Sequence, residues 1–388
     1  KNLSNFEYDL TSAIMKVNSN ETKVIGFLNG HEEHQLAPGR NERNYGAQAT
    51  ERQDYPLRDL LEKNYEAAEV LIPKPEEEGQ KASIEGINTL VIAGPKSALK
   101  DYEVLAVKDF VQNGGNILML IDQIDIAPGL QASKLEEGFS SLLSDYGVSV
   151  QKALIKDSQH SQARFSQGFF SFSLPYPYWL KASEVNKENA ITAELDSFVL
   201  PWVSPLSIVK KPDTEIIQLA RTSKKYALEQ AQELQSVPVE SSLNEEEGTE
   251  EASEPEMKEE LVDRFINLDP QQKFGISNEE KEALPLAVIA QKTGEGKVFI
   301  MGDSDFINNQ FASQFSSNVA FFMNVIDAFT LGDALISIRS KVLTDRPIKE
   351  VTEGEKNLIK WGNIIVVPLI FIIYGLVRRS LRNARKYS

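Results

Sequence analysis

The chain has 388 residues, no cysteine, and 57 acidic against 41 basic residues, a net charge of −16 at neutral pH. The missing cysteine excludes disulfides, cysteine nucleophiles and thiolate metal sites. The acidic balance argues against nucleic acid and anionic lipid headgroups as partners, and the length allows one large or two ordinary domains.

In chain order, Leu3, Phe6, Leu10, Ile14 and Val17 recur at helical spacing and predict an amphipathic lead-in helix. Lys23–Leu28 reads as a short apolar strand ending at Asn29-Gly30. Leu57–Lys63 reads as a helix and Ala68–Ile72 as a strand. Asn88–Ala93 is a buried-type strand closed by Gly94-Pro95. A helix over Tyr102–Gln112 is stopped by Asn113-Gly114-Gly115, and Asn116–Ile121 is a second buried strand. Leu135–Ser144 predicts a helix capped by Gly147. Near-continuous apolar strands alternating with helices specify a mostly parallel, doubly wound α/β sheet covered on both faces.

The pattern then changes. Phe165, Phe169, Phe170, Phe172, Tyr176, Tyr178 and Trp179 crowd one stretch broken by Pro175 and Pro177, which predicts irregular β structure. Residues 236–260 hold ten glutamates against one lysine and read as a solvated, disordered loop. Leu286–Gln291 and Lys297–Met301 are strands around a Thr293–Gly296 turn. Asn318–Thr330 is an apolar helix, and Ala334–Ile338 reads as a last strand. The expected organisation is a lead-in over 1–19, an α/β core over 20–150 and an aromatic-rich β insertion over 151–235. The acidic loop (236–260) is followed by a return to the core (261–340), a stalk (341–357), a membrane helix (358–378) and a basic tail (379–388).

The membrane expectation rests on Trp361–Val377, WGNIIVVPLIFIIYGLV, which has no charged residue. Arg378, Arg379, Arg382, Arg385 and Lys386 follow without an acid among them. Leu358–Val377 at ~1.5 Å per residue spans roughly 30 Å, one hydrocarbon core. Trp361 and Tyr374 stand where aromatic belts form, and Pro368 is tolerated in a membrane helix. The basic cluster places the C-terminus in the cytoplasm and the bulk of the chain across the membrane, which for a cell inner membrane is the periplasm. Without the five tail cations, 36 basic residues face 57 acidic ones, a balance of about −21. The start at Lys1 reads as that of a piece of a longer protein.

In open α/β sheets, ligands bind beyond the carboxyl ends of the strands. Those ends carry His31, Glu32 and Glu33 after the first strand, Asp122 and Asp125 after NILMLI, and Asp303, Ser304 and Asp305 after VFIMG. The ligand-binding candidates are therefore His31, Glu32, Asp122, Asp125, Asp303 and Asp305, converging on one rim if the last strand joins the same sheet. The plainer reading makes Asp303, Ser304 or Asp305 a helix cap and the others turn formers. His31 and His34 form H-x-x-H, which fails the H-E-x-x-H spacing of zinc hydrolases. There is no G-x-S-x-G elbow and no G-x-x-x-x-G-K-[ST] loop, so no catalytic residue, cofactor or metal is assigned.

LSNFEYDLTSAIMKV, VIGFLNGHEE, NTLVIAGP, VQNGGNILMLID and VFIMGDSDFINNQF, together with the C-terminal membrane helix and basic tail, resemble the auxiliary domain of ABC-type transport systems. Among these the chain is most similar to the GldG-type, gliding-motility-associated subunits of Bacteroidota. The resemblance implies a class I glutamine amidotransferase-like, flavodoxin-like core without the catalytic cysteine. It also implies a further extracytoplasmic domain and a membrane helix ahead of Lys1. The implied partners are a membrane permease and, through it, a cytoplasmic ATPase.

Three functional readings follow. The first is a non-enzymatic accessory subunit whose membrane helix docks on the permease, with Trp361, Pro368, Tyr374 and Gly375 as docking candidates, since small or kinked positions allow close helix approach. The second is an envelope hydrolase or amidotransferase-like enzyme using His31 and the carboxylate rim. The third is a sensor that holds a sugar or peptide on the Phe165–Trp179 aromatics.

Overall fold

The computed structural model describes residues 23–34, 56–75, 81–127, 129–135, 138–167, 170–230, 268–272, 274–276 and 278–331. Near the C-terminus it describes 360–362, 364–365, 369, 372–376 and 378. The lead-in helix, the acidic loop, the strand expected at Ala334–Ile338, the stalk and Pro368 lie outside the described residues. Residues 1–344 form one compact unit and 345–388 a second.

The first unit is organised by an eight-stranded sheet. Its strands are β1 (Val24–Leu28), β2 (Glu66–Val70), β3 (Thr89–Ala93), β4 (Asn116–Leu120), β11 (Glu184–Val185), β14 (Thr214–Arg221), β16 (Pro285–Lys292) and β17 (Lys297–Met301). Their order is β11-β14-β16-β17-β4-β3-β1-β2. The pairs β2–β1, β1–β3, β3–β4 and β4–β17 are parallel, whereas β17–β16, β16–β14 and β14–β11 are antiparallel. The sheet is therefore mixed. The chain passes from β1 outward to β2, then returns past β1 to β3, so the winding reverses between β1 and β3.

Alternation of side chains divides the parallel strands between two cores. Leu90, Ile92, Ile117, Met119, Val298 and Ile300 face one way, against Ala106, Val107 and Val111 of α2 (Asp101–Gln112). Val91, Ala93, Leu118, Leu120, Phe299 and Met301 face the other, against α1 (Pro56–Asn64) and the long C-terminal helix of this unit. Both faces are covered, which is why these strands read as continuous apolar runs. Helix α2 ends as its sequence requires: Gly114 has φ +90°, Gly115 N–H donates to Phe110 O and Gly114 N–H to Val111 O.

The stretch after β4 differs from its sequence reading. A hairpin of β5 (Ile124–Ala127) and β6 (Gln131–Lys134) occupies the approach, and helix α3 covers only Ser140–Asp145. Leu135 stays outside the helix because Gly138, at φ +76°, turns the chain just before it. Beyond α3 come β7 (Val148–Val150), β8 (Ala153–Asp157), β9 (His160–Gln167), β10 (Phe170–Ala182), β12 (Phe198–Pro201), β13 (Leu206–Ile208) and β15 (Tyr226–Gln230). The 151–235 stretch is not a separate insertion in the sheet, since β11 and β14 belong to the main one. Its aromatics build a third core in which Tyr176, Tyr178 and Trp179 are buried beside Phe311.

After β17 a short 3-10 turn (Asp305–Ile307) leads to α4 (Asn309–Gln314), capped by Asn308 Oδ1 accepting from Phe311 N–H at 3.0 Å. Helix α5 (Ser316–Thr330) is buried on nearly every side from Asn318 to Phe329, as an apolar helix without a polar stripe must be. Its Phe321 ring stacks on Phe198 with centroids 4.0 Å apart and meets Phe299 and Phe306 at 6.0 and 6.1 Å. In the second unit the described residues from Lys360 to Arg378 are helical, and Trp361, Ile364, Ile365, Leu369, Ile372, Ile373, Tyr374 and Leu376 are exposed. Among the described residues no helix is long and apolar enough to cross a membrane.

Phe321 holds two strands and the 3-10 turn against α5. Phe321→Ala is expected to cost about 3–5 kcal/mol, read as a lower denaturant midpoint in equilibrium unfolding followed by tryptophan fluorescence.

Candidate functional site

The parallel strands end on a rim where three loops meet. Loop geometry there depends on glycine. Gly94 has φ +63°, and a Cβ on it would lie 2.2 Å from Ser304 Oγ and 2.9 Å from Asp122 Oδ2. Its bare backbone is what lets the loop after β17 reach the loop after β4. Gly302 is equally close to its neighbour, since a Cβ there would meet Ser204 O at 2.0 Å.

Asp122 and Ser304 form the junction. Ser304 N–H donates to Asp122 Oδ1 at 2.8 Å, and Ser304 Oγ–H donates to Asp122 Oδ2. Next to it, Asp303 Oδ1 accepts from Asp305 N–H at 2.8 Å. Asp303 is fully buried, and its Oδ2 has no hydrogen-bond partner. Asp305 faces His34, whose Nε2 lies 3.4 Å from Asp305 Oδ1. Asp125 stands at the edge, held by Lys96 Nζ at 2.8 Å. Glu32 is exposed, with φ +61°.

His31 does not join these carboxylates. Its Nδ1 lies 3.2 Å from Glu33 Oε1 and its Nε2 3.1 Å from Glu103 Oε2 on α2, and all three residues are buried. The structure thus brings Asp122, Asp303 and Asp305 together, keeps Asp125 and Glu32 at the margin, and replaces His31 with His34. The sequence signal for His34 was present in HEEH. The spacing alone, H-x-x-H, points only toward a zinc motif that it fails to match.

Electrostatics follow from this crowding. Burial, then the charge of Asp305, pushes Asp122 up to about 6, against the charge of His34 and the two Ser304 bonds. Burial and the charges of Asp122 and Asp305 hold Asp303 well above the usual carboxylate range. Burial works against a charged His34, but its bond to Asp305 and the charges of Asp305 and Asp122 outweigh it and raise its pKa. The bond to Asp125 raises Lys96. Among the described residues no group of three or more His, Asp or Glu side chains has an arrangement that could hold a metal.

An open cleft of about 600 Å³, counted to its mouth, lies beside the rim between β1, β2 and α1. Asn29, Glu33, His34, Arg58, Leu61 and Glu69 line it. The crevice between β1 and β3, where the winding reverses, is filled by the chain itself. There His34 N–H donates to Ala93 O at 2.8 Å, and Lys96 N–H donates to His31 O at 2.7 Å. The rim's hydroxyl is equally committed, since Ser304 is fully buried and gives its proton to Asp122.

A family model described as an ABC-type uncharacterized transport system matches residues 22–325. The chain belongs to this family. An uncharacterized protein of Borreliella burgdorferi is 24% identical over 387 residues, covering 97% of this chain and 69% of its own length. A solved structure described as the mmIFT52 N-terminal domain superposes with a TM-score of 0.44 at 14% identity, covering 79% of this chain and 96% of that one. The matched span of the transport-system family contains the whole sheet and the rim. Membership makes this chain an accessory component of a transporter complex that includes a permease and an ATPase.

The rim sets a pH dependence whose sign can be worked out. Asp122 and Asp303 have folded values above the unfolded one, so their burial destabilises the fold as pH rises above about 4. For Asp122 the loss is complete once pH passes about 6. His34, raised in the folded state, contributes stability below about 6.5 that is lost as pH climbs through its folded value. All three effects have the same sign. The denaturant midpoint should fall between about pH 4 and about pH 8. Asp122→Asn, which removes about 3 kcal/mol of this linkage at most, should flatten the slope in pH-resolved unfolding curves.

Proposed function

We propose that this chain is a non-enzymatic extracytoplasmic accessory subunit of its ABC transporter complex. On this reading it binds substrate or an envelope partner and is anchored by the C-terminal helix, which packs on the permease. The observation that carries the non-enzymatic part is the internal use of the rim. Asp122 is consumed by Ser304, Asp303 by the Asp305 amide and Asp305 by His34. A general acid or base must present its proton to a substrate, and a nucleophile must be reachable; Ser304 is fully buried.

The anchor reading is supported by the uncharged run Trp361–Val377, the cations behind it, and the exposure of eight large apolar side chains on the described helical residues. Such exposure is costly in water and favourable in lipid. Trp361, Tyr374 and Gly375 are helical, and with Pro368 they are the proposed contacts to the permease. On this reading the acidic domain lies outside the cytoplasm and the basic tail within it. The flavodoxin-like and amidotransferase-like descriptions of the core are part of the same reading, supported by the order β2-β1-β3-β4-β17 of the parallel strands. The link to gliding motility and to Bacteroidota rests on the sequence resemblance alone.

The enzymatic alternative draws on the His34–Asp305 pair beside the cleft. The sensor alternative loses support, because Tyr176 and Tyr178 are fully buried and Trp179 is 4% exposed.

Replacing residues 358–377 with an unrelated membrane helix tests the docking claim. The chimaera should remain in the membrane and recover at least tenfold less permease on affinity purification. Equal recovery would remove helix packing as the basis of recruitment.

A further inference from the structure

The segment after β1 is short, strained and held at two points by histidine–carboxylate contacts. Asn29–His34 leaves the sheet through Gly30 at φ +131° and turns again at Glu32, a non-glycine residue at φ +61°. That conformation costs a non-glycine residue about 1–2 kcal/mol, so something must hold it. Two backbone bonds do so, His34 N–H to Ala93 O and Lys96 N–H to His31 O. Two side-chain clamps complete the attachment.

The first clamp is His31, between Glu33 of the same segment and Glu103 of α2. Each ring nitrogen faces a carboxylate oxygen. A neutral imidazole has one N–H and one lone pair, so only the imidazolium can donate to both. Glu103 is fixed as well, its Oε2 accepting from Lys100 N–H at 2.8 Å and its Oε1 from Tyr102 O–H at 3.2 Å. Glu33 Oε2 accepts from the His31 amide at 2.8 Å. Neither acid can readily turn away. The second clamp is His34 against Asp305, on the loop after β17. The groups facing His34 are Asp305 and Asp122, which favour its charge, and Lys96, which opposes it. Lys96 is itself held by Asp125, with Asp305 and Glu32 nearby.

We propose that Asn29–His34 is a pH-responsive strap: pinned to α2 through His31, it is closed over the β1–β3 crevice by the His34–Asp305 clamp while the His34 ring is charged, and released when that ring loses its proton. The balance of forces gives the direction. With the His34 ring charged, the strap is tied to the β17 loop as well as to α2. With His34 neutral, Asp305 and Asp122 lose their shared counter-charge. The strain at Glu32 then favours departure, against two backbone bonds. Opening would uncover Gly94, Asp122 and Ser304 at the point where the winding reverses, the place at which open α/β sheets take ligands. The rim that is closed in this structure thereby becomes a conditional binding surface.

Hydrogen exchange on the full chain, with rates corrected for the intrinsic effect of pH, tests this directly. The reporting amides are His34 and Lys96, with Leu118 in β4 as the control for global unfolding. Protection at His34 and Lys96 should fall at least tenfold between about pH 6 and about pH 8.5, while Leu118 holds. His34→Gln should show no such pH dependence. Asp305→Asn, which keeps an acceptor but removes a charge, should move the transition to lower pH. Constant protection in the native protein overturns the proposal, and so does a loss shared equally by Leu118. A second measurement needs no variant. The chain has three histidines, so their ring nitrogens can be resolved by nitrogen-15 spectroscopy. At about pH 6 both nitrogens of His34 should be protonated; a neutral ring there overturns the proposal.

Discussion

The pairing of β17 with β4 is the constraint on which the remaining architecture depends. It is fastened at the rim by the contact of Asp122 with Ser304, residues 182 positions apart. Loop closure over such a distance opposes folding, though its cost grows only slowly with length. The return is a strand buried on both faces, with Val298 and Ile300 in one core and Phe299 and Met301 in the other. The antiparallel strands β16, β14 and β11 then build outward from β17. Without that pairing, β11, β14 and β16 lose their link to the parallel strands.

Fastening the strands in this way also uses up the groups that give similar rims their chemistry. A carboxylate that accepts an amide and a hydroxyl from one serine has little left to offer a substrate. Gly94 makes the contact possible by lacking the Cβ that would hold the loops apart. The aromatic stretch follows the same logic. Tyr176 gives its hydroxyl proton to Leu268 O, and Trp179 packs edge-on against Phe311 at 4.8 Å. Rings placed this way support a core. They do not present a face to a sugar. The chemistry suggested by residue types is absorbed into structure, which agrees with an accessory role in a complex whose work is done elsewhere.

Much of the fold was legible in the sequence because burial on both faces leaves a strong mark. The runs ending at Leu28, Ala93, Leu120 and Met301 could hardly be anything but interior strands. The helix ending at Asn113-Gly114-Gly115 carried its stop signal with it. What stayed hidden were properties set by distant partners. Nothing in Glu66–Val70 fixes where β2 starts, because its pattern of two glutamates and two alanines satisfies either register. Leu135–Ser144 has helical periodicity, yet Gly138 divides it and Gln131–Lys134 finds a partner in β5. The rim was legible as a set of strand ends, so the acids were found. Choosing between His31 and His34 required the turn at Glu32, and a left-handed glutamate is invisible to any spacing rule. Glu103 was equally hidden. On a helix it reads as a surface acid, but the structure buries it as the partner of His31.

The two histidine contacts pose a last question of energetics. Burying ions costs several kcal/mol each, and well-packed apolar residues of similar size often serve stability as well or better. This rim and its strap bury His31, Glu33, Glu103 and Asp303. Stability alone gives no reason for such a choice. Asp303 sharpens the point, since one of its oxygens is buried without a partner and its proton is retained well above the usual range. A fold that needed only to hold β1 beside β3 could do so with valine and leucine. What charged clamps supply, and apolar ones do not, is a hold that depends on protonation. The excess cost is therefore best understood as the cost of a contact built to be reversible.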